Sequence, residues 1–259
     1  MQTTMIMGVA TLVGFFVGMV LLLEVGRRIR LRALAKEGEK PAGGLGVVEG
    51  AIFGLMGLVI AFTFSGAASR FDARRQLIVE EANSIGTAYL RIDLLPEATQ
   101  PPLREMLRRY VDTRLETYRV LPDIEAAMTQ IAKANEIQRA IWKRAVLAIK
   151  EGANPQASVV VLPALNAMFD IANTRYWSTQ IHPPLMIFWL LGILALVCAL
   201  LAGFGMAGGK MRSWTHIAAF AIVITLTVYV IVDMEFPRMG FIRVDSFDQA
   251  LVDVRASME

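Results

Sequence analysis

At 259 residues, 55% hydrophobic and only 19% charged, the chain has too little polar surface for an ordinary soluble domain. Its formal net charge is +3, and the charged stretch from Arg70 to Arg175 is nearly balanced, with 15 basic and 13 acidic residues, which argues against a nucleic-acid-binding role. The single cysteine, Cys198, rules out an intrachain disulfide and lies within an apolar run, where it reads as a small packing residue.

The first 23 residues are uncharged and read as a first membrane span. There is no basic leader and no small-residue cleavage site, so a cleaved signal peptide is not expected. Positive charge follows the span instead, at Arg27, Arg28, Arg30, Arg32, Lys36 and Lys40. The positive-inside rule then places this first loop in the cytoplasm and Met1 outside. Gly14 and Gly18, like Gly50 and Gly54 on the next span, have the spacing that lets two membrane helices approach closely.

Gly50 to Ser69 is a second uncharged run, yet no helix breaker separates it from the charged residues that follow. Phe64, Phe71, Ile78, Ile85 and Ile92 recur every seventh position, with Arg75, Ala82 and Tyr89 in the second seam position. A heptad phase that crosses the membrane boundary predicts one helix leaving the bilayer as a stalk, roughly 70 Å long and ended by Pro96. Glu81 and Asn83 flank its apolar seam, where polar groups set register. Glu80 and Glu81 point about 100° apart with no histidine nearby, so no metal is expected there.

Beyond the stalk, Leu103, Leu107, Tyr110, Arg114 and Tyr118 form one helical stripe, and Pro122-Asp123 opens the next helix. That helix has two adjacent candidate seams, Ile124/Ile131/Gln138/Ala145 and Met128/Asn135/Trp142/Ile149. Residues 151–158 read as a loop, and a last helix from Val159 to Gln180 carries Leu165, Met168, Ala172 and Arg175. The third and fourth spans are Leu185–Ala207 and Thr215–Val232. A literal GxGxxG at Gly203, Gly205 and Gly208 lies between them, but no strand precedes it, so it is not a dinucleotide fingerprint.

The predicted fold is an all-α integral membrane protein of four transmembrane helices, with a helical bundle inserted between the second and third. Residues 1–69 hold two spans and the basic loop, 70–182 the stalk and three further bundle helices, 183–235 the other two spans, and 236–259 a C-terminal arm. This topology brings Asp233, Glu235 and Arg238 to the same membrane edge as Arg70, Arg74 and Arg75. They read as a structural collar of ion pairs or as a charged vestibule before a pore. No Walker loop, HExxH, CxxC or nucleophile elbow is present, and no catalytic residue, metal or cofactor is expected.

The segments RRQLIVEEANSIGTAYLRIDLLP and DMEFPRMGFIRV resemble the bacterial bestrophin-like membrane family, over nearly the whole chain from the second span onward. The architecture is more distantly similar to that of the pentameric bestrophin anion channels. The resemblance implies a multi-pass bacterial inner-membrane protein: a homo-oligomeric ion channel, anion-favouring, with the second span lining the pore. Inorganic anions, lipid and further copies of the chain are then its partners. The bestrophin neck, built of apolar and aromatic residues, points to Phe53, Met56, Gly57, Ile60 and Phe64 as gate candidates. The alternative is a non-conducting membrane scaffold or sensor whose helical domain binds a partner.

Overall fold

The computed structural model describes residues 2–37, 45–152, 154–208 and 214–258. Among these, eight α-helices follow in order: α1 (Gln2–Glu37), α2 (Leu45–Arg91), α3 (Gln100–Arg119), α4 (Ile124–Lys150), α5 (Pro155–Ser178), α6 (Leu185–Gly205), α7 (Trp214–Glu235) and α8 (Gln249–Ala256). No strand occurs among the described residues. The loop basic residue Lys40, and Lys210 and Arg212, lie outside them.

The 47-residue α2 organises the molecule, running unbroken from Leu45 to Arg91 as the heptad phase predicts. Its N-terminal half joins α1, α6 and α7 around Met19, Leu23, Met56, Ala67, Leu191 and Cys198. Its C-terminal half joins α3, α4, α5 and α8 around Ile85, Leu103, Leu107, Tyr110, Ile141 and Leu165. Ile78, Ile85 and Ile92 are each at most 1% exposed. Each contributes about 1.5–3 kcal/mol by leaving water. Phe64, the first member of the series, is 44% exposed, so the seam becomes core only further down the stalk.

Five helices, α1, α2, α5, α6 and α7, are long and apolar enough to cross a membrane by length and composition. The sequence reading placed α5 in the bundle instead. Its Val161, Ala164, Leu165 and Met168 are buried in the bundle core, so its apolar side is already covered by the chain. It also starts at Pro155 rather than Val159, because the Asn154 side-chain Oδ1 accepts from Gln156 N (3.1 Å) and Pro155 suits a first turn.

The remaining departures have equally local causes. The second expected seam of α4 is not the buried one, and of the first only Ala145 is fully buried. Ala127, Ala134, Ile141 and Ala148, a line on the far side of the first seam, face inward with it, because small alanines let α4 close onto its neighbours. Asp123 caps this helix through Ala126 N (3.0 Å). The glycine pairs expected to bring helices together meet little within the chain: Gly14, Gly50 and Gly54 have open space, and Gly18 has only Leu196 at 3.7 Å. Close approach occurs instead where α1 crosses α6. A Cβ on Gly26 would fall 1.9 Å from the Leu200 carbonyl oxygen, and one on Gly203 would fall 1.9 Å from that of Leu23. The third departure is α8, which folds the C-terminal arm back onto α2 and α3 and buries Leu251 and Met258 completely.

The α1–α6 crossing yields a direct test. Gly26→Ala or Gly203→Ala forces backbone apart, and either variant is expected to lower the thermal midpoint in detergent by several degrees. Gly192→Ala on the same helix meets nothing within 4 Å and is expected to leave the midpoint unchanged or raised.

Candidate functional site: a charged collar, a stalk network and the outward face of α2

Where α2 passes beyond its uncharged run, it presents Arg70 and Arg74 one turn apart. Glu235, the last residue of α7, is 1% exposed and receives both. Arg70 Nε donates to Glu235 Oε1 at 2.8 Å, and Arg70 Nη2 donates to the same oxygen. Arg74, itself buried, lies 3.9 Å from Glu235 Oε2 and donates to three carbonyl oxygens: Glu235 (2.8 Å), Ile181 (3.0 Å) and Ser178 (3.2 Å). Those carbonyls sit at the C-terminal ends of α7 and α5, where the helix dipole favours a cation. His182 completes the cluster, with Nδ1 at 3.4 Å from Glu235 Oε2 and its ring stacked on Phe236.

The other expected collar residues have separate work. Asp233 accepts from Phe241 N (2.9 Å), Ile242 N (2.6 Å) and the Tyr229 hydroxyl (2.9 Å), tying the post-α7 loop to the helix end. Gly240 lies so close that a Cβ there would sit 1.6 Å from Asp233 Oδ1, so this loop requires glycine. Arg75 pairs with Asp72 (2.8 Å) and lies over the Phe247 ring. Arg238 turns into the bundle and binds Asp248 and Asp245.

A second knot lies two turns down the stalk. Glu81 is 0% exposed and sits between two guanidiniums, accepting from Arg114 Nε and Arg175 Nη1, each at 2.5 Å. Arg175 continues to Asp248 (3.0 Å), and Asp248 to Arg238 (2.7 and 2.8 Å), so the network joins α2, α3, α5 and the arm. Tyr118 lies in its midst. Its hydroxyl accepts from Arg114 (2.6 Å), and the Arg175 and Arg238 guanidinium carbons stand 3.8 and 4.3 Å from its ring centroid. Burial alone would raise the Glu81 pKa, but the two arginines outweigh it and hold the carboxyl at about 2. Burial pushes the Tyr118 hydroxyl up from its ordinary value of 10.0, so it stays a protonated donor and acceptor.

Sequence reasoning marked Glu81 as a register residue; the structure buries it between Arg114 and Arg175. Asn83, marked beside it, is exposed. Asp248, His182 and Tyr118 were not marked as site residues. The legible signal was an arginine on each of two otherwise apolar stripes, Arg114 on α3 and Arg175 on α5, which a buried acid can satisfy.

The gate candidates divide between two sides of α2. Met56 is 3% exposed, Phe53 packs edge-on against Phe220 of α7 at 6.4 Å, and Ile60 is half-buried. Gly57 and Phe64 are exposed. The side of α2 that its own chain leaves uncovered runs through Gly54, Leu58, Ala61, Ser65, Ser69, Asp72, Gln76 and Asn83. That stripe is centred roughly a third of a turn from the predicted face.

With this geometry in view, a family model, the Bestrophin-like domain, matches residues 13–247. The chain belongs to the Bestrophin-like family. A crystal structure of a bacterial bestrophin homologue from Klebsiella pneumoniae carrying one substitution has TM-score 0.66 at 13% identity, covering 95% of this chain and 99% of that one. The same homologue solved by zinc phasing gives TM-score 0.64 at 13% identity, covering 94% and 98%. A third crystal structure, of a membrane protein, gives TM-score 0.61 at 13% identity, covering 95% and 98%. At these identities the likeness establishes the fold. No curated protein matches the chain. As a Bestrophin-like chain with several apolar helices, this is a membrane protein.

The Glu81 network makes a pH-dependent prediction. Its folded pKa lies below the ordinary 4.5, so its stabilisation is complete above about pH 4.5 and is lost as pH falls toward 2. At pH 7, Glu81→Gln is expected to cost about 3–5 kcal/mol by leaving two buried guanidiniums short of an acid. The gap in thermal stability between parent and variant should then close between pH 4.5 and 2. A gap that stays constant with pH would contradict the assignment.

Proposed function

We propose that this protein is a homo-oligomeric ion channel with four membrane spans, α1, α2, α6 and α7, and an extramembrane bundle of the α2 stalk with α3, α4, α5 and α8. The observation that carries this reading is the outward stripe of α2. From Gly50 to Ser69 it is uncharged and studded with small residues, and on the same unbroken helix it then turns polar through Asp72, Gln76, Glu80, Asn83 and Thr87. A face left uncovered by its own chain, apolar at membrane depth and polar beyond it, suits a path shared by several copies. Family membership and the bestrophin-homologue fold support the same reading.

In this channel the constriction is formed by Gly54, Leu58, Ala61 and Ser65, with Gly57 and Phe64 at the edge of the path. Phe53, Met56 and Ile60 back the helix against α7 rather than meeting ions. A span without ionisable groups blocks ions by dewetting. Anion preference rests on the resemblance to the bestrophin anion channels, because the collar arginines lie on the side of α2 turned away from this stripe. The basic residues after α1 place the α1–α2 connection in the cytoplasm and the bundle on the outer face of a bacterial inner membrane.

The test is flux from liposomes carrying purified protein. Phe64→Ala should leak more than the parent, whereas Met56→Ala should lose about 2–5 kcal/mol of stability without gaining flux. Parent and Phe64→Ala protein that both leave liposomes tight would leave the scaffold reading. Orientation is tested separately in a Cys198→Ala background. On intact cells, an impermeant thiol reagent should label Lys133→Cys and spare Lys36→Cys.

A further inference from the structure

We propose that a crevice between α2, α6 and α7 holds one acyl chain of an anionic phospholipid, with the lipid phosphate against Arg70. The crevice, about 290 Å³, is walled by Val59, Phe62 and Thr63 of α2, Ile187 and Leu190 of α6, and Ile231 of α7. The Arg70–Glu235 pair closes one end. The walls make no polar demand, since the Thr63 hydroxyl donates to its own helix at Val59 O (2.7 Å).

The end of the crevice carries excess positive charge. Arg70 and Arg74 stand against the single carboxylate of Glu235, and Arg74 is buried and turned to three carbonyls. Nearby Asp233 is occupied by two backbone N–H groups and a tyrosine hydroxyl. The surplus therefore shows at Arg70, whose side chain is 30% exposed. Its Nε and Nη2 serve Glu235; Nη1 lies over Gly66, and none of the described residues accepts from it. Exposed Trp177 and Trp189, on the helices flanking this level, mark it as headgroup depth. An apolar slot ending in one half-free cation has the complement of an amphiphile: an apolar tail and a single anionic head. A second copy of the chain fits less well, because α2 offers no acid between Glu49 and Arg70, and Asp72 is paired with Arg75.

The proposal rests on the reading of α2, α6 and α7 as membrane spans. It is tested by native mass spectrometry of the intact complex titrated with dioleoylphosphatidylglycerol or dioleoylphosphatidylcholine. The parent should retain up to one phosphatidylglycerol per chain, favoured over phosphatidylcholine about fivefold, the effect of one charge at a lipid surface. Arg70→Lys should keep that preference and Arg70→Gln should remove it. Thr63→Phe, which fills the slot without touching the ion pair, should reduce retention of both lipids. Equal retention of the two lipids by the parent, displacement by inorganic phosphate, or a Thr63→Phe variant with undiminished lipid would each overturn the proposal. A change in copies per complex on Thr63→Phe, with lipid unchanged, would assign the crevice to a second copy. Loss of liposome flux alone bears on the channel reading and not on this one.

Discussion

A carboxylate without water must be paired, and Glu81 meets that requirement with arginines from two other helices. That constraint positions the bundle. With Glu81 fixed on α2, Arg114 sets how far α3 has slid along the stalk and Arg175 does the same for α5. Asp248 then holds the C-terminal arm to Arg175. A shift of one residue in any of these helices would rotate a charge into apolar surroundings. Glu235 repeats the device at the membrane edge, where α7 meets α2 and the carbonyl ends of α5 and α7 meet Arg74.

Both knots sit on the same unbroken helix, which gives α2 a mechanical character. Its two halves are joined without a flexible joint, because no breaker intervenes between Gly50 and Arg91. The face of α2 opposite the knots is exposed over both halves. One side of the helix thus fixes the protomer, and the other is available to neighbours or to a path between them.

Much of this was legible in the sequence because it rests on periodicity. The heptad series through Ile78, Ile85 and Ile92 announced a continuous stalk, whereas the buried acid that pairs the arginines on apolar stripes went unread. Partner choice was less legible. Charges at one membrane edge read as a single collar, yet Asp233 bonds backbone N–H groups and Arg238 turns to Asp248, and no side-chain pattern encodes a carbonyl such as that of Ile181. The proposed pore face differs from the residues marked in the sequence because ring size served as the marker. Phe53 and Met56 are large apolar groups, and large apolar groups are what a protomer draws into its own core, leaving Gly54, Ala61 and Ser65 outward. Most of the α4 seam was missed for the related reason that alanines carry little hydrophobic signal although they permit the closest packing.

A density map of the detergent-solubilised complex is the most direct test of the central claim, that the outward stripe of α2 faces an axis shared by several copies. The expected result is a ring of α2 helices with Gly54, Ala61, Ser65 and Ser69 turned toward a continuous axial path and Met56 turned away. A monomeric particle, or a ring whose α2 stripe faces lipid, would contradict it.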